Sequence, residues 1–137
     1  MKHTFAYPIR SGKETLAMVF MRSKRPKGLS FPTTEEYPLQ VGWHTQEKKR
    51  AVPLHRHPHL VYKVEVTHEF LYVEKGWMQV VVTDKKWKPV KTVRLRTGDS
   101  ILITGGGHQV TIGPNTSILE VKQGPYPGEK KSKIYKK

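Results

Sequence analysis

The chain has no cysteine, which removes disulfides, thiolate zinc sites and thiol nucleophiles at once. Acidic residues are scarce: 11 Asp and Glu stand against 25 Lys and Arg, a formal net charge of +14. No apolar run approaches the ~20 residues that a membrane-spanning helix requires. The opening stretch Met1–Pro8 has neither an apolar leader core nor a small-residue cleavage site. Long stretches with helical periodicity are missing too. These absences together set the expectation of a soluble, cytoplasmic protein that makes no membrane contact.

The excess of positive charge is partly terminal. Residues 129–137 hold five lysines and one glutamate, and this basic tail is expected to be disordered. The remaining surplus is dispersed and falls mostly at turns. Such a balance attracts polyanions or an anionic small molecule. With no recognition-helix pattern and no RNA-binding aromatic motif, a solvated basic surface is favoured over a nucleic-acid site. A small polar or anionic ligand drawn into a positive cavity is compatible with both.

At 137 residues the chain suits one domain with a single core. Period-two alternation predicts strands nearly throughout: over Leu39–Thr45, Phe70–Val73, Trp77–Val82, Thr92–Arg96, Ser100–Thr104 and Ser117–Lys122. Glu74-Lys75-Gly76 reads as a compact hairpin turn, with further turns at Asp84-Lys85-Lys86, Arg96–Asp99 and Gly113–Thr116. Gly12–Arg22 is left open between helix and strand. The Pro-rich stretch 23–38 reads as a loop joining an N-terminal arm to a β-domain. The predicted organisation is an arm and loop (1–38) packed on the barrel or on a partner subunit, an all-β sandwich or barrel (39–128), and the basic tail (129–137). Exposed sheet edges, which need cover, favour a homodimer through the arm.

Four residues stand out chemically: His55, His57, Glu69 and His108. His55 and His57 are two apart, so on a strand both imidazoles share a face. Three imidazoles and a carboxylate suit Fe, Mn, Zn, Ni or Co as a divalent cation. His59 shares their parity, but Pro58 interrupts the strand. His68 precedes Glu69 and should face the other way. His57, Glu69 and His108 rank first as metal ligands, His55 just below, and His59 as a substitute. A bland reading competes, because a lone histidine is more often a surface or satisfied core residue than a ligand.

His55-Arg56-His57, then Glu69 followed by Gly76, then Gly98-Asp99 and finally His108 resemble the two motifs of the cupin superfamily. The resemblance covers roughly residues 39–123. It implies a double-stranded β-helix (jelly-roll) barrel with the metal in its mouth, held by His55, His57, Glu69 and His108. The chain departs from the family pattern in four ways, one of them an interval to His108 that is one residue shorter than usual. Eleven residues separate His57 from Glu69 instead of three or four. The usual proline of the second motif is absent around Thr104–Gly107, and Ile112 stands where asparagine is usual.

Other motifs fall away. Gly105-Gly106-Gly107 lacks the Gly-Lys-[Ser/Thr] ending of a phosphate-binding loop, and its glycines are better explained by a close approach that swings His108 inward. Ser100, Ser117 and Thr104 have no triad context. Tyr72 should face away from Glu69, and Gln79, Arg94 and Arg96 are candidate polar or anion-binding lining. Three function classes follow: a metal-dependent dioxygenase or isomerase, with Glu69 able to leave the metal and act as a base; a ligand-binding or sensing barrel; and a metal-free sugar-nucleotide epimerase or isomerase.

Overall fold

A computed structural model describes residues 4–137; the first three residues of the N-terminal arm lie outside it. Ten strands follow in order: β1 (Ala6–Ser11), β2 (Glu14–Phe20), β3 (Gly28–Ser30), β4 (Trp43–Thr45), β5 (Glu69–Lys75), β6 (Trp77–Thr83), β7 (Pro89–Arg96), β8 (Ser100–Ile103), β9 (Gly107–Ile112) and β10 (Ser117–Lys122). A single helical turn, α1 (Glu129–Ser132), lies in the basic tail. All pairing is antiparallel, in a five-stranded sheet of order β1-β2-β8-β5-β10, a three-stranded sheet β7-β6-β9, and the pair β3-β4. The architecture is an all-β sandwich.

The alternation read from the sequence sets the facing. On β6, Met78, Val80 and Val82 are fully buried and the intervening residues are not. Leu71 and Val73 of β5 and Ile101 and Ile103 of β8 meet them from the other sheet, in one core with Val93 and Leu95 of β7. Each such aliphatic side chain contributes ~1.5–3 kcal/mol on burial. A second, smaller cluster around Phe20, Val41 and Leu102 covers the outer face of the five-stranded sheet, beneath the loop that carries Tyr37 and Leu39.

The structure corrects one expected hairpin. Glu74-Lys75-Gly76 does not fold β6 back onto β5; β5 pairs with β8 and β10, whereas β6 pairs with β7 and β9. The turn is a corner that carries the chain from one sheet to the other. Gly76 has φ +88°, and a Cβ there would overlap the Thr116 side chain, so this corner needs glycine. The β7–β8, β8–β9 and β9–β10 connections also change sheets; among the described residues the consecutive strands that pair are β1–β2, β3–β4 and β6–β7. Alternation reports that a strand has a buried face, not which sheet it joins.

Two further expectations shift. Of Leu39–Thr45 only Trp43–Thr45 is strand; the Val41 N–H is taken by the Thr33 hydroxyl at 3.2 Å instead of by a ladder partner. The ambiguous Gly12–Arg22 stretch is strand β2, followed by a 3-10 turn over Arg22–Lys24. Because β2 pairs with β8, the N-terminal hairpin is continuous with the main sheet.

Asp99 pins this frame. One carboxylate oxygen accepts the Arg22 N–H at 2.8 Å and the other the Arg96 N–H at 3.0 Å. Its side chain thereby ties the turn before β8 to the segment after β2.

Candidate functional site

Glu69 opens β5, opposite Ile103 of β8 and Lys122 of β10. It shares the inward face with Leu71 and Val73. His108 is the second residue of β9, paired with Val82 of β6, and faces inward with Val110. Strands β9 and β10 are each the last strand of their sheet. The two side chains therefore meet between the sheets at an open end, His108 Nε2 lying 3.3 Å from Glu69 Oε2. They are 30% and 21% exposed, which leaves the pair shielded yet reachable from solvent.

The Glu69 carboxyl is held below its ordinary value. Hydrogen bonding with His108 is the main cause, opposed by partial burial, and the charges of His108, Lys122 and Lys133 add to it. Lys122 in turn bonds Glu120 Oε1 at 2.6 Å and lies 5.3 Å from the Tyr126 ring centre. Its ammonium is pushed up, chiefly by Glu120. The sequence reading missed Glu120 and Lys122. The alternation of Ser117–Lys122 was the available signal, since it puts both on one face.

His55 and His57 lie elsewhere. The residues from 46 to 68 form no strand, so the shared-face argument has no strand to act on. Both histidines are exposed; His55 Nδ1 sits 2.8 Å from the Pro53 carbonyl, and the two rings meet edge-on with centres 5.3 Å apart. Arg56 and His59 are also exposed. Pro53 and Pro58 bracket the pair and remove two ladder donors, which explains why a strand does not form unaided. Among the described residues, no three His, Asp or Glu side chains gather as a metal-holding group. The structure thus supplies two separate pairs, Glu69 with His108 and His55 with His57.

His68 does face away from Glu69, as alternation requires. It is buried on the outer side of the sheet, edge-on to Tyr37 at 5.4 Å, and its backbone N–H donates to Gln123 Oε1 at 2.7 Å. Burial pushes its imidazole down, and its Nδ1 has no partner. An apolar cleft of about 220 Å³, lined by Leu39, Trp43, Phe70 and Val121 among others, lies on this same outer side.

Gln79, Arg94 and Arg96 do not line the site. They alternate with the buried Met78, Val80, Val93 and Leu95, and so occupy the outward face of the three-stranded sheet. Tyr72 alternates with Leu71 and Val73 and faces away from Glu69. Of the three glycines before His108, Gly106 has φ +62° and stands where a Cβ would overlap the Thr83 carbonyl. That close approach lets the chain turn from β8 into β9 and deliver His108 inward.

Comparisons with protein-family models, with curated proteins and with solved structures find no match to this chain.

Proposed function

We propose that this chain is a cupin-type barrel that holds one divalent transition metal (Fe, Mn, Zn, Ni or Co), and that it acts there on a small polar or anionic molecule. The observation that carries the reading is the Glu69–His108 pair. Two residues 39 positions apart, one from each sheet, converge at 3.3 Å in the mouth of the sandwich. A carboxylate already held ionised and an imidazole are borderline-to-hard donors, matched to these cations.

Strand order supports the rest of the set. The free edge of β9 lies beside His108 and is open to one more strand. The segment 46–68 is the chain's own candidate for that place. Its apolar residues Leu60, Tyr62, Val64 and Val66 alternate with Lys63 and Glu65, yet all four are exposed. Addition of residues around 55–57 to β9 would bring His55 and His57 to the same mouth and close the sandwich toward a jelly roll. A metal held there supplies Lewis acidity, or a site for redox chemistry if it is iron. The residues of the chain do the remainder: Glu69 and His108 orient the ligand, Lys122 favours an anionic group, and Glu69 is placed to take a proton if it is not coordinated.

A second reading has its own observation. Glu69 and His108 form a carboxylate–imidazole pair without a third ligand beside them, an arrangement suited to metal-free proton transfer, as in a sugar-nucleotide epimerase or isomerase.

Calorimetric titration of chelator-treated protein with Zn(II) and Mn(II) separates the two. The metal reading predicts one site, lost in Glu69→Gln and weakened at least tenfold in His108→Ala. A wild type that takes up no metal from either titrant, or from Fe(II), Ni(II) or Co(II), would leave the metal-free pair.

A further inference from the structure

The outward face of the three-stranded sheet has a chemistry unrelated to the mouth. Its strands β6, β7 and β9 contain no Asp or Glu. Arg94 and Arg96 project from it, and the β6–β7 turn adds Lys85, Lys86 and Lys88. The one acid of that turn, Asp84, is occupied: its Oδ1 accepts the N–H groups of Lys86 and Lys88 at 2.8 and 2.9 Å. Lys85 is matched by Glu14 at 3.0 Å; among the described residues the other basic residues named here form no ion pair.

Two half-exposed tryptophans sit at opposite ends of this face. The Trp77 indole lies over Gly113 and the Trp87 ring over Gly107, and a Cβ at either glycine would collide with its ring. The two rings are separated by about six residue steps of β6, roughly 20 Å at ~3.4 Å per residue. Arg94 stacks on Trp77, its guanidinium carbon 3.9 Å from the ring centre, so a planar cation is already ordered on one platform.

Trp87 is the more telling of the two. It occupies the left-handed region at φ +65°, in a hairpin closed by Trp87 N–H to the Asp84 carbonyl and Asp84 N–H to the Lys88 carbonyl, both at 3.0 Å. This is the position that glycine or asparagine fills in such loops. A bulky residue held in an unfavourable backbone conformation points to a use for its ring.

We propose that this face binds single-stranded nucleic acid, with Trp77 and Trp87 as stacking platforms for bases and the Arg and Lys side chains between and around them neutralising phosphates. Stacking on indoles and guanidinium planes, combined with a net positive surface, is how sequence-tolerant single-strand binders work. The recognition residues all lie in the β6–β7 hairpin, and the pairing of its strands puts them on one face.

The test is fluorescence anisotropy of labelled oligothymidylate and oligouridylate of about twenty nucleotides, with full-length protein at about 50 and about 200 mM salt. Trp87→Gly relieves the backbone, so it should keep or raise the melting temperature while weakening binding roughly tenfold. Arg94→Gln, which leaves the turn intact, should weaken binding as well. Preference for one of the two oligonucleotides would identify DNA or RNA as the ligand. Unchanged affinity in both variants would overturn the proposal. So would the absence of binding at the lower salt, or heparin binding as tightly as the oligonucleotides with no sensitivity to Trp87→Gly; the last result would reduce the face to a general polyanion surface.

Discussion

Asp99 shows how one residue of a motif-like stretch can be structural. Its two oxygens take one backbone N–H each, from the end of β7 and from the segment after β2, and it is only 8% exposed. Asp99→Ala leaves both donors without their charged partner and is expected to lower the unfolding free energy by about 3 kcal/mol. Chemical denaturation measures the loss, and metal stoichiometry should not change. The exposed pair His55 and His57 should behave in the opposite way. Replacing both with alanine is expected to alter stability by less than ~0.5 kcal/mol, while metal affinity falls at least tenfold.

Tyr7 gives a pH signature independent of the mouth. Burial raises its phenol above the usual value, with the Asp99 carboxylate adding to the effect. A raised folded-state pKa means that the contribution is complete below the unfolded value, about pH 10, and is lost as pH climbs through the folded one. Wild type should therefore lose stability on the alkaline side more steeply than Tyr7→Phe. Equal alkaline slopes in urea denaturation between about pH 8 and about pH 11 would contradict the assignment.

Among the elements, the strands were legible and their partners were not. Trp77–Val82 and Ser117–Lys122 announced themselves by alternation, and β6 and β10 occupy those positions. The Gly76 corner reads as a hairpin in the sequence because a glycine-ended turn between two alternating runs looks the same whether the chain folds back or crosses to another sheet. The Glu69–His108 meeting was legible as a motif, since both lie on regular strands of known parity. The parity of His55 and His57 presumes a strand that the segment 46–68 does not form. Its prolines set the backbone locally, and pairing with a distant edge is not written in local alternation. Glu120 and Lys122 escaped notice because their importance depends on Glu69 being their neighbour across β5 and β10.

The segment 46–68 is the element on which the account turns. Its residues 46–67 are exposed and include Lys48, Lys49, Arg50, Arg56 and Lys63, so trypsin should nick it first. If His55 and His57 close onto β9 around a metal, saturating Zn(II) or Mn(II) should slow cleavage at Arg56 by tenfold or more relative to chelator-treated protein. Cleavage at equal rates with and without metal would show that the segment takes no part in the site. Mass spectrometry of the fragments reads the position directly.

At the scale of the molecule, the sandwich separates two chemistries. The mouth between β9 and β10 gathers Glu69, His108, Glu120 and Lys122, whereas the far side of the three-stranded sheet presents tryptophan and arginine without a carboxylate on its strands. The excess of positive charge serves both proposals, drawing an anionic ligand to the mouth and a polyanion to the flat face. Among the described residues no helix is long and apolar enough to cross a membrane. The expected homodimer could use the edges of the two larger sheets, those of β1, β10, β7 and β9. Light scattering on a sizing column at micromolar concentration decides between dimer and monomer.

Elemental analysis of untagged protein, wild type beside the His57→Ala/His108→Ala double variant, is the most direct measurement. It takes one histidine from the segment 46–68 and one from β9, so it tests whether the two pairs act together. The account predicts about one equivalent of a transition metal per chain in the wild type and none in the variant, with the variant still folded by circular dichroism. A wild type without metal even after reconstitution, or a variant that retains its metal, would contradict it.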